Sequence, residues 1–267
     1  MKYNYHAHTS RCHHASGTPE EYIQRAIDAG ITHMGFSDHF PLMFPDGHEA
    51  KFRVAVAEAH DYVDELRRLR EKYKNKIDIK IGFEMEYYPS LFEDMMKNAL
   101  DYGAEYLILG QHFINSETEY PKNRHSILER ESEVELAEYV TGVVEAIKSG
   151  AFTYVAHPDV FNFTGSAEAY KNQMQKICVA AKEYNIPLEI NLLGIRTDRQ
   201  YPREEFWKIV GKVGSPVTFG FDAHRAEDAY DGKSLQKAYS LVEKYKLNYI
   251  GAPKLILIQE KFARKNP

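Results

Sequence analysis

What constrains this chain most is the order of its hydrophobic periods. A short apolar or alternating run is followed by a stretch with helical spacing, and the pair recurs seven times along 267 residues. The strand-like runs cover residues 2–6, 31–37, 77–83, 106–109, 152–156, 187–191 and 216–221, with a short further candidate at 248–251. The helical patterns cover 18–30, 54–73, 90–102, 134–149, 167–184, 202–213 and 235–245. Such alternation calls for parallel strands joined by right-handed crossovers. Repeated without a break in composition, it predicts one α/β domain over 1–267 built as a closed or nearly closed barrel. An open doubly wound sheet is the alternative.

Local signals agree with this division. Thr18-Pro19-Glu20-Glu21 has a capping residue, a proline suited to the first helical turn and a glutamate that completes a capping box. Gly30 stops that helix. Val56, Ala59, Val63, Leu66, Leu69 and Tyr73 make one apolar helical face. The segment from Phe40 to Arg53, rich in Pro, Gly, Asp and aromatic residues, reads either as a functional loop or lid, or as a surface excursion.

The ends of the strand-like runs carry the chemistry. The first ends in Tyr5-His6-Ala7-His8, and two histidines at i and i+2 of a strand share a face. Later runs end in Ser37-Asp38-His39, Gly82-Phe83-Glu84, Gly110-Gln111-His112, Ala156-His157-Pro158 and Phe221-Asp222-Ala223-His224. In a (β/α) barrel these ends form one face, where active sites are built. His6, His8, His39, Glu84, His112, His157, Asp222 and His224 are too many donors for one four-coordinate ion. They imply two or three divalent ions sharing a carboxylate, with zinc, iron and manganese all compatible. Packed or hydrogen-bonded core groups are the competing reading for any one of them. His33 reads as packing, and His48, His60 and His125 as solvated; His13 and His14 follow His8 closely and are placed to fold back over the site.

Composition narrows the function classes. With 43% hydrophobic and 27% charged residues the chain reads as soluble and globular. A formal charge of −5 argues against a nucleic-acid-binding surface but not against an anionic small substrate beside bound cations. No apolar run is long enough to span a membrane, and the first strand begins too close to Met1 to leave room for a leader. Cys12 and Cys178 make neither a disulfide framework nor a zinc-finger spacing, which fits a reducing cytoplasm. Cys12, beside His13 and His14, is an alternative extra ligand.

The motifs His6-x-His8, Ser37-Asp38-His39, Glu84, His112, His157-Pro158 and Asp222-x-His224, in this order and at strand ends, resemble the PHP (polymerase and histidinol phosphatase) superfamily. The resemblance implies a distorted (β/α)7 TIM-like barrel and a trinuclear metal centre that hydrolyses phosphate esters. It implies one ion held by His6, His8, Glu84 and Asp222, a second by Glu84, His112 and His157, and a third by His14, His39 and His224, with His13 the alternative to His14. Asp38 is then expected to orient a ligand. Within the superfamily the chain is most similar to the histidinol-phosphate phosphatases, through its length, Phe52-Arg53, Gly110-Gln111-His112-Phe113, and Gly194-Ile195-Arg196 before Tyr201-Pro202. That group binds substrate phosphate with arginines; Arg196 matches one such place, and Arg53 is a further candidate. A second arginine is expected soon after the fifth-strand histidine, but His157 is followed by Pro158-Asp159-Val160-Phe161-Asn162-Phe163; Arg53, Lys122, Arg124 and Arg199 are the candidates to replace it, with ordinary surface charge the competing reading for each. The expected activity is metal-dependent hydrolysis of histidinol phosphate, with Glu84, Asp222, His224 and Arg196 at the reaction centre. Hydrolysis of another phosphomonoester or of a diester, amidohydrolase chemistry and metal binding without turnover are the alternatives.

Overall fold

Strand pairing follows the order of the chain. In the computed structural model, which describes residues 1–265, β1 (Tyr3–Asn4), β2 (His33–His39), β3 (Asp78–Met85) and β4 (Tyr106–Leu109) form one parallel sheet. β5 (Leu188–Asn191), β6 (Pro216–Gly220) and β7 (Asn248–Tyr249) form a second. Val155 joins them, bridging Leu109 on one side and Leu188 on the other. The run expected at 152–156 therefore occupies its stave although its ladder is too short for a full strand. Thr153 and Ala156 donate to Leu107 and Leu109, and Val155 donates to Pro187. The ring closes where Ala7 pairs with Ala223. β7 covers the other end of this seam, and there Tyr3 Oη lies 3.2 Å from Tyr249 Oη. The result is the distorted TIM-like barrel. Asn266 and Pro267, included in the domain expected from sequence, lie outside the described residues.

The crossovers hold α1 (Pro19–Asp28), α2 (Ala59–Tyr73), α3 (Phe92–Tyr102), α4 (Glu133–Ser149), α5 (Ala167–Glu183), α6 (Leu192–Arg196), α7 (Glu204–Val213) and α8 (Gly232–Tyr245), and α9 (Ile258–Lys265) follows β7. Thr18 makes the expected capping box with Glu21. The short α6 was not legible as a helix. It exists because Asn191, the last residue of β5, accepts the Gly194 N–H on its side chain at 3.0 Å, a cap worth about 1 kcal/mol. Among the described residues no helix is long and apolar enough to cross a membrane.

Period-two alternation separates two cores. Outward residues such as Leu107 and Leu109 join Ile79, Ile81, Phe83, Leu188 and Ile190 against the helices. Inward residues Tyr3, Tyr5, Tyr106, Ile108 and Tyr154 fill the barrel below the strand ends. The segment after β2 is not a surface excursion, because Phe40, Leu42, Phe44 and Arg53 are buried.

Candidate metal centre

The first strand reaches the site by breaking its own alternation. Tyr3 and Tyr5 face the barrel interior, yet His6 and His8 face it too. The Asn4 side chain accepts the His6 N–H at 3.1 Å across this change of phase, which is the kind of shift a bulge produces. Two glycines make room. A Cβ on Gly110 would stand 2.0 Å from Glu84 Oε1, and one on Gly220 would stand 1.6 Å from Glu189 Oε1 and 3.1 Å from His6 Cβ. Only a residue without a side chain lets these carboxylates lie across the neighbouring strand. His157 and Asp222 follow their strands with φ of 30° and 48°, left-handed conformations that non-glycine residues rarely adopt. Strain of this kind costs of order 1–3 kcal/mol and persists where surrounding contacts enforce it.

Glu84 is the centre of the arrangement. Its Oε2 lies 3.2 Å from His39 Nδ1, 3.6 Å from His8 Nε2 and 3.7 Å from His6 Nε2. Its Oε1 lies 2.7 Å from His157 Nε2 and 3.6 Å from His112 Nε2. Asp222 Oδ1 is 3.3 Å from His8 Nε2, 3.6 Å from His6 Nε2 and 3.2 Å from His224 Nδ1. His224 Nε2 lies 3.0 Å from His14 Nε2. The structure thus brings together His6, His8, His14, His39, Glu84, His112, His157, Asp222 and His224. His13 and His14 are both exposed, but only the His14 ring reaches His224, whereas His13 ends a short turn. Ligand atoms of His6, His8 and Asp222, of His6, Glu84 and His157, and of His8, His39 and His224 lie close enough in each case to share an ion. Cys12 also lies near His14 and His224, but its thiol is buried and donates to Thr9 O at 3.2 Å.

These donors suit divalent cations on a further ground. His6 Nε2, His8 Nε2, His39 Nδ1 and Asp222 Oδ1 are buried without a hydrogen-bond partner, and a buried polar atom left unpaired costs about 1–3 kcal/mol. Protons take up part of the imbalance. Burial lowers the His6 pKa, but Glu189, Asp222 and Glu84 outweigh it and carry His6 up to about 10. Burial would raise Glu84, yet His112, His6, His157 and His39 hold it well below the usual carboxylate range. Burial with His224 and His8 nearby takes His14 down to about 4.

A second layer fixes the rings. Glu189 Oε1 meets His6 Nδ1 at 2.8 Å, and its Oε2 accepts the His157 N–H at 3.0 Å. Asn191 donates to Glu189 Oε2 at 2.9 Å and to Asp222 Oδ2 at 3.0 Å. Glu86 Oε1 meets His112 Nδ1 at 2.8 Å. Asp38, expected to orient a ligand, lies 3.3 Å from His8 Nδ1 and accepts the Thr9 N–H at 2.9 Å. The sequence reading passed over Glu86 and Glu189. Their signal was a charged residue two positions from Glu84 or Asn191, Glu189 within β5 and Glu86 just beyond the end of β3.

The two arginines expected at the substrate do other things. Arg196 donates to the carbonyls of Phe221 and Asp222 at 2.9 and 2.8 Å, and its Nε stands 3.2 Å from Asp228. It braces the left-handed turn at Asp222 from behind and does not line the cavity. Arg53 is buried, 2.8 Å from Glu86 and paired with Glu117, which also accepts from Tyr88 Oη at 2.5 Å. A guanidinium so enclosed supports Glu86, and through it His112, and is not available to a ligand. Arg199, three residues beyond Arg196, is the arginine that faces the cavity. His125 was expected to be solvated, but it lines the cavity with its ring 5.2 Å from His112. The cavity, about 600 Å³, has Glu84, Asp222 and the histidines on one side and Phe52, Ile127, Val160, Leu193 and Tyr201 on the other.

Comparison with known proteins accords with this geometry. The chain is 27% identical over 251 residues to the histidinol-phosphatase of Bacillus subtilis, covering 84% of this chain and 93% of that protein. It is 26% identical over 223 residues to a probable histidinol-phosphatase of Deinococcus radiodurans, covering 82% of this chain and 85% of that one. Its fold matches the crystal structure of a histidinol phosphate phosphatase from Lactococcus lactis complexed with zinc, L-histidinol and phosphate, with a TM-score of 0.70, 21% identity and coverage of 93% and 95% of the two chains. The family model described as the PHP domain matches residues 4–192, and the chain belongs to that family.

Proposed function

We propose that this chain, acting over its whole length as one domain, is a metal-dependent phosphomonoester hydrolase whose substrate is histidinol phosphate. One observation carries the reading: the two oxygens of Glu84 face two different sets of histidines at one side of a ligand-sized cavity. The proposed ligand sets are His6, His8, Glu84 and Asp222; Glu84, His112 and His157; and His14, His39 and His224, for two or three ions of zinc, manganese or iron. Bound divalent ions lower the pKa of water toward neutrality and offset the charge of a phosphoryl group. Glu84 and Asp222 stay ionised to hold such ions. Glu189, Glu86 and Asp38 keep three of the imidazoles turned toward them. Arg199 supplies a guanidinium at the cavity for the phosphoryl oxygens. Phe52 and Tyr201 offer flat apolar faces to the imidazole of histidinol. The proposed nucleophile is water, since the cavity's carboxylates and most of its histidines are the proposed metal ligands.

A second reading, a different small phosphomonoester, is favoured by one detail. Apart from Glu84 and Asp222, no carboxylate among the described residues lines the cavity to meet the amine of histidinol. Phosphate release from histidinol phosphate, from other monoesters and from one diester, with metal content measured on the same sample, separates the readings. Strong preference for histidinol phosphate is the expected result. Activity confined to other monoesters would transfer the mechanism to another substrate, and bound metal without any turnover would overturn both.

A further inference from the structure

The loop between β4 and α4 brings His125 to the cavity wall. Ser126 N–H donates to His112 O at 2.7 Å, which ties the loop to the strand end. The His125 ring lies 5.2 Å from His112 and 5.4 Å from Phe113, centroid to centroid. Its Nδ1 accepts the Ile127 N–H at 3.1 Å. A nitrogen that accepts carries no proton, so the neutral ring bears its proton on Nε2. An imidazolium would set one N–H against another. Its side chain makes no other hydrogen bond among the described residues. The cavity wall therefore carries an N–H donor whose tautomer the backbone dictates. Arg199, which also donates only, lines the same cavity. Two donors lining one cavity call for an acceptor, and the anionic oxygens of a phosphoryl group are acceptors only.

We infer that His125 is a substrate-binding residue, donating from its neutral Nε2–H to a phosphoryl oxygen that Arg199 also contacts. The inference rests on the phosphomonoesterase reading and names a residue for it. It also accounts for the absence of a basic residue after His157. Val160 lines the cavity there, and the neighbouring loop provides the donor instead.

The test uses the metal-loaded protein with H125A and H125Q. Inhibition by inorganic phosphate is measured beside kcat/KM for histidinol phosphate and for 4-nitrophenyl phosphate, and bound metal is determined for each variant. H125A is expected to weaken phosphate inhibition about tenfold and to lower kcat/KM on both esters by roughly 10–100-fold, the effect of losing a hydrogen bond to a charged group. Bound metal should not change. H125Q, whose amide can donate from nearly the same point, should recover most of the loss. Unchanged phosphate inhibition in H125A overturns the inference, as does a glutamine variant no better than alanine. Loss of metal in H125A would mean that the residue acts by packing on His112. A defect on histidinol phosphate alone would put the donor at the alcohol part of the substrate, again overturning it. If the wild type hydrolyses 4-nitrophenyl phosphate but not histidinol phosphate, the substrate reading fails while phosphate inhibition still judges His125.

Discussion

The two ends of the barrel interior are built from the same alternation and solve opposite problems. Toward the N-terminal ends of the strands, Tyr3, Tyr5, Tyr106 and Tyr154 fill the space with rings. Two of the four hydroxyls find partners: Tyr106 Oη donates to Tyr5 O at 2.9 Å and Tyr3 Oη pairs with Thr218 Oγ1 at 2.9 Å, whereas Tyr154 Oη is buried without one. Toward the C-terminal ends the interior holds histidines and carboxylates, and several of their atoms are left without hydrogen bonds. At the lower end the polar atoms of these rings are neutral phenols, two of the four paired, whereas at the upper end the unpaired atoms belong to histidines and a carboxylate that a ligand can satisfy. The lower end closes the barrel; the upper end holds its unmet donors in place through a second layer of carboxylates.

Substitutions can break or sharpen this contrast. The largest effect is expected from Glu84→Ala, which removes the group shared by both histidine sets. Turnover should fall by more than the roughly 10–100-fold that follows loss of a supporting residue, and kcat together with metal content would show it; near-normal activity would sink the shared role. Next is Arg53→Met, which leaves Glu86 and Glu117 buried without their cation. A loss of about 3–5 kcal/mol is expected in denaturant unfolding, and the milder Glu86→Gln should lower metal affinity at His112 by about 10–100-fold with less harm to folding.

Arg199 and Arg196 make a smaller, paired test. Arg199→Ala should weaken phosphate inhibition by about tenfold while leaving the unfolding midpoint in place. Arg196→Ala should lower the midpoint and loosen metal at Asp222. The reverse outcome would restore Arg196 as the phosphate ligand.

The pH dependence follows from His6. Its pKa of about 10 means that the metal-free protein carries a proton there at neutral pH, and an ion bound at Nε2 displaces it. Burial lowers His8 and His112 too, but neighbouring carboxylates outweigh it and raise both, so metal affinity should rise with pH up to about 10 and fall as pH drops, by as much as tenfold per unit for each proton displaced. Glu84 and Asp222, both held well below the usual carboxylate range, add no slope at neutral pH. Calorimetry in buffers of different ionisation enthalpy would detect the proton, and binding without proton release would count against the assignment. At the lower end Tyr106→Phe should cost only about 1 kcal/mol and leave metal content untouched. Metal loss in that variant would mean that the two ends are not independent.

The histidines and acids of the upper end were legible because each stands at the end of an apolar run, and a parallel barrel sends all such ends to one face. Gly110 and Gly220 were visible beside them, but their purpose was not. Glu86 and Glu189 escaped because a carboxylate in a strand or just past its end carries no sign of which partner it meets. Arg53 and Arg196 misled for the related reason that a long side chain near a site in sequence can point away from it. His125 sits in a polar loop whose course no periodicity describes.

By itself, then, the order of the residues determined the alternation of strand and helix, the barrel it closes into, and the end of that barrel where metal-type donors gather, since all three depend on local period and on the direction of the strands. Tertiary structure alone decided which arginine faces the cavity, which carboxylates steady the imidazoles and which loop histidine joins them. Those outcomes turn on contacts of a few ångströms between segments far apart in the chain, as when Glu189 meets His6 at 2.8 Å, and local sequence carries no record of them.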